Sequence, residues 1–364
     1  MRILVVNAGS SSLKLRLLGP DDVLLADHEL TAGPDGFDEE AAARLLRDLD
    51  GVDAVGHRFV HGGVRLTTPV RIDDDVERYL RSLVDLAPLH QPPALAGADL
   101  TRRLLPHVPA VACLDTAFHA GMPPAAATYA LPREWRERHG VRRHGFHGLS
   151  HAYAARRSAD LLGRPPAGLR VVTCHLGAGA SLAAVHGGVS VETTMGFTPL
   201  EGIVMATRPG SIDPGIVLWL QRHAGLSEAT LSDALEHRSG LLALAGSADM
   251  REVLRAAAAG DRDARLGLDV YVHHLRAGVA AMAAAMDGLD ALAFTGGVGE
   301  RAAEVRAAAA AGLGFLGLAL DAGRNADASG DADIGADGAR VRVLVLRARE
   351  DLEIARQVRA VLGK

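Results

Sequence analysis

Aromatic side chains are scarce in this chain: phenylalanine, tyrosine and tryptophan make up 4 % of 364 residues. Cysteine is scarcer still. Cys113 and Cys174 each sit inside an apolar strand, so they read as small buried residues and leave no disulfide framework. That points to a reducing, cytoplasmic setting. No apolar run approaches the roughly 20 residues of a membrane span. The first residues read as a strand with a polar turn, which is not a signal peptide. Net charge is small, −5 with a pI near 6.3, which argues against a large nucleic-acid surface. What remains is globular composition, 48 % hydrophobic and rich in alanine and glycine, with length enough for two domains.

The chain opens "RILVVNAGSSSLKLRLL", a strand, a small-residue turn and a strand in which Leu13, Leu15 and Leu17 alternate with Lys14 and Arg16. "EEAAARLLRDL" reads as a helix and "DAVGHRFVHGG" as a strand ending in a glycine turn. "VERYLRSLVDLAPLHQPPALAGADLTRRLL" reads as helix, proline-marked loop, helix, and "AVACLDTAF" as a short strand ending at Asp115. Near residue 169 the opening plan returns: "LRVVTCHLGAGASLAAVHGG" is again strand, Gly/Ser turn, strand. A duplicated unit in each half of the chain predicts two related α/β domains. "LDALAFTGGVGERAAEVRAAAAAGL" reads as strand, glycine turn, helix. "AGRNADASGDADIGADGA" reads as loop. "ARVRVLVLRAREDLEIARQVRAVLG" is a last strand and a helix with Leu352, Ala355, Val358 and Leu362 on one face.

The turn of residues 7–14 is not a Walker A loop, because Leu13 precedes its lysine where a glycine is required. Serine hydroxyls, turn N–H groups and Lys14 still suit a phosphate, as they suit a plain polar turn. The glycine turns at 175–181 and 295–300 allow close backbone approach to a ligand. Arg58, Asp115, Arg208 and Glu350 are isolated charges in apolar or glycine-rich settings. Together they are what magnesium-assisted phosphoryl transfer needs, cations for the transferring group and carboxylates for the metal. His147 and His151 have zinc-ligand spacing, but Gly145 and Gly148 argue against a helix there and no HExxH pattern occurs.

"NAGSSSLK", "HRFVHGG", "LAPLH", "DTAFH", "RRHGFHGLSH", "HLGAGAS", "TMGFTPLEGIVMATR", "SADMR" and "FTGGVGE" follow one another in an order that resembles the acetate kinase family over the whole chain. The resemblance implies a two-domain, duplicated ribonuclease H-like α/β fold of the actin-like ATPase type, with an interdomain cleft. It implies a first lobe of residues 1–117 plus 352–364, a second of 118–351, and a homodimer. The implied reaction is reversible transfer of the ATP γ-phosphoryl group to acetate, giving acetyl phosphate and ADP, with Mg2+ as the metal and Mn2+ as the alternative. Asn7 and Glu350 match the magnesium-site residues; Ser10, Ser12 and Lys14 line the phosphate end. His175, Leu176, Gly177, Ala178 and Gly179, then Asp249, Met250 and Arg251, then Gly297, Val298, Gly299, Glu300 and Arg301 match the ATP-binding segments. Arg58, His147 and Arg208 match the transition-state cations and donor, Asp115 the active-site aspartate, and Val60, Leu89 and Pro199 the pocket for the acetate methyl.

The chain departs from the family pattern at Ala178 (usually Asn), Leu149 (Thr), Arg349 (Asn), Pro209, Ser211 and Arg301, and is shorter, mostly between residues 28 and 52. Ala178 and Leu149 are expected to remove polar groups facing phosphates. The intact "FTGGVGE" turn favours ATP over pyrophosphate. The alternatives are a propionate or other short-chain acyl kinase, since one methylene is worth about 1–3 kcal/mol of discrimination, and a non-catalytic nucleotide-binding relative.

Overall fold

The computed structural model describes residues 1–9, 12–33, 36–88 and 90–363. They form two compact units: residues 1–120, 146–153 and 349–364 in the first, 121–145 and 154–348 in the second. Ser10 and Leu89 lie outside the described residues.

The first unit is built on a seven-stranded sheet. In chain order its strands are β1 (Ile3–Ala8), β2 (Ser12–Leu18), β3 (Leu24–Gly33), β4 (Gly36–Phe37), β5 (Ala54–Phe59), β6 (Val70–Arg71) and β7 (Ala110–Leu114). They pair in the order β4-β3-β2-β1-β5-β7-β6, with β1, β5 and β7 parallel and the rest antiparallel. The alternation in β2 is that of a strand covered on one face. Leu13, Leu15 and Leu17 join Leu4, Val6, Ala8, Val55, Leu46 and Leu100 in a core beneath the helices Glu39–Arg47 and Gln91–Leu104. β1 is buried on both faces: Ile3 and Val5 pack with Val111, Cys113, Leu149 and the closing helix Glu350–Leu362. Each such fully buried aliphatic contributes about 1.5–3 kcal/mol. The apolar stripe of the closing helix differs from the sequence expectation. Ala355 and Val358 are buried, Leu352 and Leu362 sit half-buried at its margins, and Ile354 lies fully buried in the packed face. The expected helix, proline-marked loop and helix are present, with Pro88 in the connection, and Pro92 and Pro93 lie past it. They occupy the first turn of Gln91–Leu104, where a missing N–H costs nothing.

The second unit repeats the plan. Its strands are β8 (Arg170–Leu176), β9 (Ala180–His186), β10 (Val189–Thr193), β11 (Ala291–Thr295), β12 (Ala332–Asp333) and β13 (Arg342–Val345), paired β10-β9-β8-β11-β13-β12. As in the first sheet, an antiparallel meander is followed by two parallel strands and a short antiparallel edge. The stretch expected to be loop after residue 321 contains β12 and a short helix, Ala322–Asp327, begun by Asp321 accepting from the Arg324 amide. Cys113 and Cys174 are buried and unbonded, and burial raises both thiol pKa values. Among the described residues no helix is long and apolar enough to cross a membrane.

Candidate active site

Three parallel strands of the first unit end at one edge and carry the charges there. Asn7 precedes the last residue of β1, Arg58 precedes the last residue of β5, and Asp115 follows β7. Alternation places Asn7 and Arg58 on the face covered by the closing helix, whose first residue is Glu350. Arg58 Nε and Nη2 donate to Asp115 Oδ2 at 3.1 and 2.7 Å, and Nη1 donates to Asn7 Oδ1 at 3.3 Å. Asn7 Nδ2 donates to Glu350 Oε2 at 3.1 Å, an oxygen 3.7 Å from Arg58 Nε. Burial alone would lower the Arg58 pKa; Asp115 and Glu350 outweigh it and raise it. Burial pushes the Asp115 carboxyl up, against the pull of Arg58. With a guanidinium at 2.7 Å the two remain an ion pair.

This cluster has the donor chemistry of a magnesium site: two carboxylates and an amide oxygen, all hard ligands. Asp115 Oδ1 is buried with no hydrogen-bond partner in the described structure, although the Leu149 amide is near enough to act on the carboxylate. The hard oxygen donors Asp115, Glu350 and Asn7, with one Asp115 oxygen free of any side-chain partner, fit a hard cation. Among the described residues no three His, Cys, Asp or Glu side chains cluster as a metal site. Mg2+ does not need them, since it keeps waters and substrate phosphates as ligands.

Next to Asp115 runs the segment 146–149. His147 adopts φ 55°, uncommon for a residue with a side chain and frequent where geometry serves a function. Gly148 begins the helix Gly148–Leu162, and a Cβ there would lie 1.9 Å from the Asp115 carbonyl oxygen. That contact requires glycine and fixes His147 one residue away. The expected break between the two histidines holds: His147 lies outside the helix that Gly148 starts and that includes the buried His151. One expectation changes. Leu149 faces no phosphate; its side chain is 1 % exposed among Ile3, Val5 and Ile354.

In the hairpin β1–β2, Lys14 pairs in register with Asn7, on the same face, and its ammonium lies 3.5 Å from Glu29 at an exposed position. Ser12 begins β2, and its carbonyl accepts from Gly9 N. Val60 follows β5 and is buried.

The second unit holds a different set. Its hairpin turn joins His175 and Leu176 on β8 to Ala180 on β9, with Gly177 N donating to Gly179 O and Ala178 exposed. Ala206 N donates to Ala178 O, which ties this turn to the segment carrying Arg208. Arg208 is half-buried. Its Nη1 donates to Pro199 O at 2.9 Å, and no carboxylate lies within 4 Å among the described residues. Burial lowers its pKa, with Glu236 too weak to restore it. The segment is braced from behind: Met205 N donates to Arg208 O and Leu241 N to Met205 O. Gly240, at φ +63°, has room for no side chain, since a Cβ would sit 2.3 Å from Met205 O. A second brace joins Arg143 Nη2 to Glu201 Oε1 at 2.6 Å, Tyr129 to the other Glu201 oxygen, and Tyr129 OH to Phe197 N at 3.0 Å. Sequence reasoning missed Gly240, Tyr129 and this use of Arg143. A glycine beside an apolar run and an arginine in "RRHGFHG" were the available signals.

Beside β8, β11 ends at Thr295, paired in register with His175, and opens into the short helix Gly296–Arg301. The glycine turns after β8 and β11 therefore leave the same sheet edge. Gly297 and Val298 are half-buried, Gly299 is buried, and Arg301 is exposed. Glu300 Oε1 accepts from Ala348 N at 2.9 Å. Asp249 caps the helix Met250–Ala258 through the Arg251 amide, and the Arg251 side chain helps hold its carboxyl down to about 2.

The carboxylate–arginine cluster at one strand edge of the first unit and, in the second, the carboxylate-free arginine beside a glycine turn are residue types that phosphoryl transfer uses. Comparison with known proteins narrows the class. The acetokinase family model matches residues 35–356. An acetate kinase of Synechococcus sp. (strain JA-2-3B'a(2-13)) is 46 % identical, with 98 % of each chain covered. The solved structure of Porphyromonas gingivalis acetate kinase is 34 % identical, with a TM-score of 0.91 and 99 % of each chain covered. A propionate kinase from Francisella tularensis subsp. tularensis SCHU S4 gives the same three values. The chain belongs to the acetokinase family. Its fold is that of acetate kinases and sugar kinases.

Proposed function

We propose that this enzyme is an acetate kinase that transfers the γ-phosphoryl group of ATP directly to a carboxylate oxygen of acetate. The P–O bond to acetate forms as the bond to the β–γ bridging oxygen breaks, and ADP leaves with that electron pair. The observation that carries the reading is the single hydrogen-bonded cluster of Asn7, Arg58, Asp115 and Glu350. The acceptor carboxylate is ionised at neutral pH, with a pKa near about 4, so no general base is required. Asp115 then positions Arg58 and serves the metal instead of taking a proton. The difficulty is bringing an anion to a polyanion. Arg58 and Arg208 supply charge for the acceptor and the transferring group, and His147 supplies a donor to an equatorial oxygen. Asn7, Asp115 and Glu350 would hold Mg2+, which when bound neutralises phosphate charge.

ATP and ADP are assigned to the turns 175–179 and 297–301, to 249–251, and to Ser10, Ser12 and Lys14. The acetate methyl is assigned to Val60, Leu89 and Pro199. The proposal includes a homodimer working in the cytoplasm; two buried, unbonded cysteines accord with a reducing compartment. Preference for propionate is the second reading, supported by the likeness to a propionate kinase. Acyl phosphate formation is measured as the hydroxamate with acetate, propionate and butyrate, with and without magnesium. Acetate as the best acceptor, with activity dependent on magnesium, is the expected result. Faster turnover of propionate selects the second reading, and no acyl phosphate from any acid removes both.

A further inference from the structure

Among the described residues Arg306 is the largest fully buried side chain, 1 % exposed, and it has no carboxylate partner within 4 Å. Its guanidinium is satisfied by neutral oxygens. Nη1 donates to the carbonyls of Gly299 and Glu300 at 3.0 and 2.8 Å, Nε to Asn325 Oδ1 at 2.8 Å, and Nη2 to Asn325 O at 2.7 Å. Asn325, itself 4 % exposed, donates from Nδ2 to Ala303 O at 2.9 Å. Burial lowers the Arg306 pKa, opposed weakly by Glu304.

A desolvated charge is a costly way to fill space, and an apolar side chain of similar volume would do it better. What arginine adds is direction: a rigid fork that reaches several acceptors at fixed angles. Two of those acceptors belong to the turn Gly296–Arg301, whose last carbonyls have no partner within so short a helix. Arg306 holds the turn from its buried side, through Gly299 and Glu300. Gly297, Val298 and Arg301 keep their outer surface. Asn325 fixes the fork in turn and links it to the helix Ala322–Asp327, within the stretch that the sequence reads as loop.

We infer that Arg306, locked by Asn325, is a positioning residue for nucleotide binding that holds the turn 296–301 in its ligand-receiving shape without touching the ligand. The inference rests on the assignment of ATP to that turn. The test uses the full-length enzyme and compares Arg306→Lys, Arg306→Met, Asn325→Ala and Gly297→Val. For each variant KM for ATP, KM for acetate, kcat and the shift in Tm on adding ADP are measured.

The Arg306 variants should raise KM for ATP at least about tenfold and shrink the ADP-induced Tm shift, while KM for acetate stays within about twofold. Asn325→Ala should act in the same direction and combine non-additively with Arg306→Lys, since the two share one network. Should Arg306→Met not fold, Arg306→Lys and Asn325→Ala give the same readout. A drop in Tm with both KM values unchanged, or equal rises in both, overturns the inference. Gly297→Val separates the premise from the conclusion. If it raises KM for ATP and Arg306→Lys does not, the turn binds nucleotide and Arg306 does not position it. If Gly297→Val leaves KM for ATP unchanged, the assignment of the turn falls, and the inference with it.

Discussion

The two units share a sheet plan and differ in how they treat charge. In the first, the three parallel strands carry Asn7, Arg58 and Asp115 at or just beside their ends, and the arginine is neutralised by carboxylates. In the second, the equivalent strands end at Leu176, Thr295 and Val345, with no arginine at these ends. Arg208 lies in a braced segment and Arg306 in a helix, and both are held by carbonyl and amide oxygens with no carboxylate within 4 Å in the described structure. Duplication supplied two similar scaffolds. The first gathers hard oxygen donors around a neutralised arginine, and the second holds arginines on neutral oxygens.

The contrast is most sharply broken by removing each arginine. Arg58→Ala leaves the Asp115 carboxylate buried without its partner, so turnover should vanish and stability should fall by about 3–5 kcal/mol. Arg208→Ala strands no carboxylate. It should lose about a hundred- to thousandfold in kcat with no loss of Tm. Denaturant unfolding beside steady-state kinetics on both variants decides the matter, and equal stability losses would erase the distinction between the units.

Gly240→Ala tests the brace behind Arg208. The added Cβ must displace the backbone at Met205, so the segment should shift. A loss of more than about 1 kcal/mol in stability is expected, accompanied by a fall in kcat. Wild-type kcat in a folded Gly240→Ala enzyme would show that the brace is dispensable.

Acid should weaken the first unit through its buried imidazoles. Burial lowers the pKa of His57 to about 3 and of His119 to about 4, against about 6.5 unfolded. Between those values the unfolded chain binds more protons. Stability is therefore full above about pH 6.5 and is lost as pH falls toward 4, by up to about 1.4 kcal/mol per pH unit for each group. His144 in the second unit, lowered to about 4, adds one more such group. Unfolding free energies across that range should slope downward with acid, and His57→Gln should flatten the slope.

The smallest effect belongs to Arg349. It stands at the N-cap of the closing helix, makes no side-chain cap bond, and pairs with Asp351 instead. Arg349→Asn should add a cap but take hydrogen bonds from the buried Asp351, so the two effects oppose and Tm should move little, by no more than about 1 kcal/mol in stability, without change in kcat.

Much of this was legible in the residues. The two hairpins, the alternation in β2 and the charges Arg58, Asp115 and Glu350 stand out because period and isolation are local properties. The closing helix was legible as amphipathic, but Ile354 was absent from its expected stripe, because the face it buries is set by the sheet it meets. Leu149 illustrates the same limit: a position expected to face phosphates turned inward because the helix start packs on Asp115. The short elements around 322–333 were hidden by polar, glycine-rich composition and depend on packing against Arg306 and β13.

By itself, the sequence determined the duplicated strand–turn–strand plan, the aliphatic cores and the residue types available for phosphoryl transfer. These follow from periodicity and side-chain chemistry, which act between near neighbours. Only the tertiary structure decided which charges are neutralised and which are left for a ligand. Asn7 and Glu350 are separated by 343 positions, nearly the whole chain, and Arg306 meets Asn325 through a fold in the backbone. An ion pair or a desolvated guanidinium exists only once distant segments have excluded water between them.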